Sequence, residues 1–365
     1  MSRRPRKSTA KRKGRRRSAG GLTPLRRLRI ILGSAAATLG VVFVLALAGG
    51  LWAYQGPGPA TDGGAPRNVM LRKGAGLSEI ASTLERSGAI RSKALFAAAA
   101  QLTGATKSLK AGEYEFKSRA SMASILRDIR EGRIVIHQIT IPEGMTSEAA
   151  VALLAARPDL TGAAPSPPEG AILPETYQYE RGEDRAAVLK RMMDARDDLL
   201  TLLWEKRQPG LPFKTPEEAV ILASVVEKET GIAAERPLVA SVFVNRLRQN
   251  MRLESDPTII YGLNGGKPLG RGLRASEMAA PNPYNTYQIP GLPPTPIANP
   301  GRAALAATLD PPKTDYLFFV ADGSGGHVFA ATYEEHLKNV AKWRVIERQK
   351  AAEALQEKAA ELKAR

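Results

Sequence analysis

The sequence has no cysteine, so disulfides and thiolate metal sites are excluded. Aromatic residues make up only 5% of the chain, and histidine occurs three times, at 137, 327 and 336. His137 falls in a predicted strand and His327 in a predicted hairpin, where surface or packing roles suffice. No metal site is expected. There is no Walker loop, no dinucleotide fingerprint and no G-x-S-x-G. The glycine-rich stretch GGKPLGRG (265–272) reads as a turn, since it does not join a strand to a helix as a phosphate cradle must. No cofactor is expected, and no internal repeat is visible.

Acidic residues are missing from residues 1–29, which hold thirteen Lys or Arg. Removing those from the net charge of +17 leaves +4 for the other 336 residues. The charge thus belongs to a tail. It can meet anionic lipid heads, or nucleic acid without specificity, and it says little about the folded part. Charge of either sign is then missing from Ile30 to Tyr54. At 1.5 Å per residue this run reaches roughly 37 Å, enough for a hydrocarbon core of about 30 Å with some tilt. A secretory signal has a shorter apolar run. Trp52 and Tyr54 suit the interfacial belt, and the positive-inside rule puts the tail in the cytoplasm. No second run of that length follows. The expected location is a bacterial cytoplasmic (inner) membrane, crossed once, with everything after about residue 55 outside.

The rest reads as an α+β chain. Residues 55–66 (QGPGPATDGGAP) are a Gly/Pro linker. Residues 67–133 form a small β-α-α-β unit, with Ser92 opening its second helix and a third helix over 121–131. Residues 134–344 form a mixed α/β domain. It starts with a strand over 134–141 and a helix capped by Thr146 or Ser147. Thr215-Pro216-Glu217-Glu218 is a helix start with a capping box. AVILASVV (219–226) is apolar on every side, as a central buried helix must be, and Gly231 stands where the helix should stop. Another helix is predicted over about 235–249. Residues 251–301 carry few helix signals and read as a long ordered loop, of the kind that usually carries function. A hairpin is predicted across Asp322–Gly326. Residues 345–365 are a charged C-terminal helix.

With thiols, metals and phosphate cradles set aside, carboxylates and hydroxyls remain, the equipment of glycoside chemistry. Glu227 and Glu229 end the buried helix. Two positions apart, they lie about 200° around it and so on different faces. Glu229 is in line with Leu222, Val225 and Val226; Glu227 is in line with Val220, Ala223 and Ser224. A carboxylate at a helix C-terminus opposes the dipole, and apolar neighbours add to that, so its pKa rises. Either glutamate could be such an acid or a plain structural charge.

The run ILASVVEKETGIAAERPLVASVFVNRLRQNMRLESDPTIIYGL (221–263) strongly resembles the core signature of the MltG (YceG-like) family, the endolytic murein transglycosylases. The resemblance continues through IPEGMT, ILPETYQY, NPYNTYQIPGLPPTPIANPG and YLFFVADGSGGHVF, and covers about residues 67–344. It implies that residues 67–133 are a LysM-like subdomain, which could bind glycan or only orient its neighbour. It also implies cleavage of the β-1,4 bond between N-acetylmuramic acid and N-acetylglucosamine within nascent peptidoglycan glycan strands, leaving a 1,6-anhydro end and terminating polymerisation. One carboxyl serves there as acid and then base, and the resemblance places it at Glu229, with Glu227 and Thr230 as supporting groups. Asn245, Ser255, Asp256, Thr258, Tyr284, Asn285, Thr286 and Tyr287 fall in the matched signature, as sugar-binding groups or as loop braces. Peptidoglycan synthases are implied as partners. The contrasting expectation is a noncatalytic, membrane-anchored cell-wall-binding scaffold, which would not need Glu229.

Overall fold

The computed structural model describes residues 24–364. Most of the basic tail therefore lies outside the described residues. Helix α1 (Pro24–Gln55) contains the uncharged run; its segment Leu28–Gln55 is long and apolar enough to cross a membrane, and only its C-terminal end, at Tyr54, packs on the rest of the first unit. The chain divides into two compact units, at Ile134/Val135, one residue from the boundary expected between the small unit and the larger domain.

In the first unit the order is β1 (Arg67–Leu71), α2 (Leu77–Arg86), α3 (Lys93–Leu102), β2 (Gly112–Phe116) and α4 (Met122–Glu131). Strands β1 and β2 pair antiparallel from Arg67↔Phe116 to Leu71↔Gly112. Ser92 caps α3 by accepting from the Leu95 amide, and Ser121 caps α4 by accepting from Ser124. The core holds Val69, Leu71, Leu84, Phe96, Tyr114 and Ile125. The Gly/Pro segment 55–66 is not a free spacer. The Gly58 amide donates to Arg119 O at 3.1 Å and the Arg119 amide to Pro59 O at 3.0 Å. A Cβ at Gly58 would lie 2.1 Å from Ala120 O. Glycine is required there because two backbones touch. Tyr54, at the end of α1, packs on the same core.

The second unit begins with β3 (His137–Thr140), α5 (Ser147–Ala155), β4 (Thr176–Tyr179) and α6 (Arg185–Glu205). β3 and β4 pair antiparallel. Thr146, not Ser147, caps α5, accepting from the Ala149 amide at 3.3 Å. Helix α7 (Pro216–Glu229) begins with the expected box: Glu218 N donates to Thr215 Oγ1 and Thr215 N to Glu218 Oε2, both at 3.2 Å. Val220, Leu222, Ala223, Val225 and Val226 are buried in the main core, each large one contributing about 1.5–3 kcal/mol of transfer free energy. They meet Val239, Ala240 and Phe243 of α8 (Arg236–Arg248).

Two local expectations change. Helix α7 stops because Thr230 is extended, at φ −141° and ψ 132°, and not through a left-handed glycine at 231. The region 251–301 is not all loop: it contains α9 (Asp256–Asn264) and a short α10 (Ala275–Ala279). Pro257 in the first turn of α9 reads as a loop residue in isolation, yet it is a helix-start residue when the preceding chain is held. After α11 (Arg302–Leu309) come β5 (Phe318–Ala321) and β6 (His327–Ala330), paired across the predicted 322–326 turn. Helix α12 (Tyr333–Ala364) runs unbroken through residue 345.

Candidate active site

The site is built at the C-terminal end of α7. Because its core-facing positions fix the helix's rotation, Glu227 and Glu229 leave it in different directions, as the spacing requires. Glu229 points to the start of α9, where Ser255 Oγ donates to its Oε1. Asp256 follows Ser255 and accepts from Tyr287 Oη at 2.8 Å. Glu227 points the other way. Its Oε2 accepts from the Gly301 amide at 2.8 Å, and its Oε1 lies 3.6 Å from Arg236 Nη2.

Burial pushes the pKa of both carboxyls up, and their neighbours then differ. Glu229 is pushed up to about 7 by loss of solvent. The Ser255 hydrogen bond opposes the rise, the Asp256 charge adds to it, and His327 and Arg246 pull it down. Glu227 is raised by burial and by Glu143, against the Gly301 hydrogen bond and the cations Arg236 and Lys228. A carboxyl that titrates near neutrality can give a proton and take one back.

The structure sorts the other sequence candidates. Ser255, Asp256 and Tyr287 gather around Glu229. Thr258 and Thr286 stand one step behind it. Thr286 Oγ1 accepts from the Ser255 amide at 2.9 Å, Thr258 Oγ1 lies 2.9 Å from Thr286 Oγ1, and both are buried. They fix the backbone that presents Ser255. Asn285 is buried and donates to Met278 O and Ala280 O, each at 2.9 Å, so it folds the loop on itself. Tyr284 bonds Thr295 at 2.8 Å and packs on Tyr261, with no bond to Glu229 or its partners. Asn245 bonds elsewhere. Its amide donates to Thr314 O and Tyr316 O, at 2.7 and 3.1 Å, and ties α8 to the strand that follows. Thr230 Oγ1 accepts from the Ile232 amide at 3.0 Å and lies 3.4 Å from Glu235 Oε2.

Three groups escaped the sequence reading. Glu235 accepts from the His327 amide at 2.7 Å and sits 2.8 Å from His327 Nδ1. His327 is thus clamped, not a free surface residue, and its charge is felt at Glu229. Arg246 donates to Leu317 O at 2.7 Å and Leu253 O at 2.9 Å, and meets Glu254 at 3.1 Å. It holds the turn into Ser255, where Glu254 has a φ of 52°. The buried arginine and the Glu–His pair span 71 and 92 residues of sequence, and no local pattern announces them. Among the described residues no group of His, Cys, Asp or Glu could hold a metal ion.

A half-buried carboxyl pushed up to about 7, with a hydroxyl and a second carboxylate beside it, has the groups that acid–base chemistry on glycosidic bonds uses. The YceG-like family model matches residues 69–342, and the chain belongs to that family. It is 30% identical over 324 residues to an endolytic murein transglycosylase of Streptococcus pneumoniae, a match covering 75% of this chain and 58% of that protein. It is 29% identical over 309 residues to an endolytic murein transglycosylase of Bacillus subtilis, covering 76% and 84% respectively. The chain thus spans little more than half the length of its pneumococcal relative. A crystal structure of a yceG-like protein from Listeria monocytogenes, 29% identical, aligns with 75% of this chain and 99% of its own, at a TM-score of 0.45.

Proposed function

We propose that this chain is a single-pass, membrane-anchored lytic transglycosylase. It cuts the β-1,4 bond between N-acetylmuramic acid and N-acetylglucosamine inside nascent glycan strands, and it uses Glu229. The observation that carries this reading is the Glu229 carboxyl itself, held by Ser255 at the end of a buried helix and tuned to about 7.

Near neutral pH such a carboxyl is protonated in a large fraction of molecules. It donates its proton to the leaving glucosamine oxygen as that bond breaks. The carboxylate then accepts the proton of the muramic 6-hydroxyl while that oxygen bonds to the anomeric carbon. The 1,6-anhydro ring closes, no water is consumed, and Glu229 is protonated again. The Asp256 charge favours the protonated form before the first step, and Ser255 supports the carboxylate after it. Glu227, held by Arg236 and Gly301, keeps the helix end in place.

The apolar helix α1 is the anchor, and the arginine-rich tail before it orients residues 1–29 to the cytoplasm. The β-α-α-β unit serves as the LysM-like part, and a peptidoglycan synthase supplies the strand. The test is digestion of isolated glycan strands by the full chain in detergent, with mass spectrometry of the new ends. Anhydro-muramic ends are expected. Reducing muramic ends would make the enzyme a hydrolase, and no new ends would favour the scaffold.

A further inference from the structure

A groove of about 530 Å³ lies on the side of α7 reached by Lys228, the residue before Glu229. Its walls are the Pro142–Thr146 turn, the Ala149 and Ala152 face of α5, and the Gly266–Pro268 turn after α9. A second chamber of about 280 Å³ shares Thr146 and Glu148 with it and continues past Val151 and Glu169. Nothing in the mechanism above uses either.

The lining is unsuited to sugar and suited to peptide. The first chamber has no aromatic residue on which a pyranose ring could lie. Its apolar parts are small or flexible: Met145, Ala149, Ala152 and two prolines. Its charges are mixed. Lys228 Nζ donates to Gly144 O at 3.3 Å and keeps its other protons for a ligand. Lys267 and Glu148 sit 3.4 Å apart, with side chains 68% and 76% exposed, so either can turn to a ligand at little cost. Glu143 adds a second carboxylate. Two ammonium groups and two carboxylates around small apolar surfaces complement a short peptide that carries both carboxylates and an amine.

We propose that this groove receives the peptide stem of the murein strand. This rests on the murein reading of Glu229. The stem hangs from the lactyl group of the muramic residue whose anomeric bond is cut, so it must leave the cleft beside Glu229. Helix α9 runs from Asp256, next to Glu229's partner Ser255, to the turn that forms the groove's rim. Its nine residues span about 13 Å. An extended tetrapeptide spans about the same distance. The groove therefore lies at stem length from the reacting bond, and the enzyme selects strands that bear peptides over stripped ones.

The test has two arms on the full chain in detergent. In the first, a free stem tetrapeptide is titrated against wild type, the Lys228→Ala/Lys267→Ala double variant, and Ala152→Glu. Ala152 is exposed, so that change adds a repelling charge without touching the core. Saturable binding is expected for wild type, weakened about tenfold in both variants. Absent binding, or equal binding by all three, overturns the proposal whether or not the chain is a lyase. In the second arm, peptide-bearing and amidase-stripped strands are compared. KM on peptide-bearing strands is expected to rise about tenfold in the variants, with kcat unchanged and stripped strands cut as by wild type. Equal KM values for the two strands in wild type would overturn stem recognition and leave the lyase reading intact.

Discussion

Glu227 and Glu229 are two residues apart on one helix end, and both are pushed toward the neutral form by burial. Their surroundings separate them. Glu227 faces a guanidinium at 3.6 Å and a backbone amide at 2.8 Å, fixed groups that hold it as a brace. Glu229 faces a hydroxyl that can rotate and a carboxylate that repels its charge. On the proposed function, the same desolvation serves a joint in one place and a proton carrier in the other. Each glutamate has one repelling carboxylate and two cations in reach, so what separates them is the hydrogen-bond donor: a fixed backbone amide for Glu227, a side-chain hydroxyl for Glu229.

The comparison breaks most sharply on activity. Glu229→Gln should lower strand cleavage by roughly 10³-fold or more, with an unchanged circular dichroism spectrum, because the proton shuttle is gone. Activity within tenfold of wild type would return both glutamates to structural status. On stability the order reverses. Glu227→Ala leaves the buried Arg236 with Glu143 alone, at 3.8 Å, and should cost about 1–2 kcal/mol in denaturant melts, while strands are still cut at temperatures where the variant is folded.

A smaller effect is pH-dependent. The folded pKa of Glu229 lies above its ordinary value of 4.5, so folding is favoured below that value and loses this contribution as pH rises through about 7. Glu229→Gln should therefore stabilise the protein by about 3 kcal/mol at pH 8 and by nothing at pH 4. Thermal melts at the two pH values check it. The smallest effect concerns Asp256. Removing its charge in Asp256→Asn lowers the pKa of Glu229. The alkaline limb of kcat/KM, centred near 7 in wild type, should then move to lower pH, with about a two- to threefold loss at pH 7. An unmoved limb would mean that Asp256 does not act through Glu229.

Much of this arrangement is legible in the sequence. The Thr215–Glu218 box, the all-round apolar run of α7 and the opposed directions of its two glutamates follow from local rules of capping and helical period. So does the pairing of β5 with β6. The errors came where distant chain segments decide a local matter. The Pro257 helix was read as loop because its start is held by Thr286, 31 residues on. The 55–66 segment was read as a spacer because its bonds go to residues 118 and 119.

The sequence by itself determined the long apolar N-terminal helix, the α+β order and the pair of carboxyls at the end of a buried helix. Composition and short-range periodicity are enough for those. Only the tertiary structure decided that Glu227 meets Arg236 and Gly301 while Glu229 meets Ser255. It also decided that Asn245 serves as a tie to Thr314 and that Glu235 clamps His327. A pKa depends on charges and solvent within a few ångströms, and here those charges arrive from segments tens of residues away.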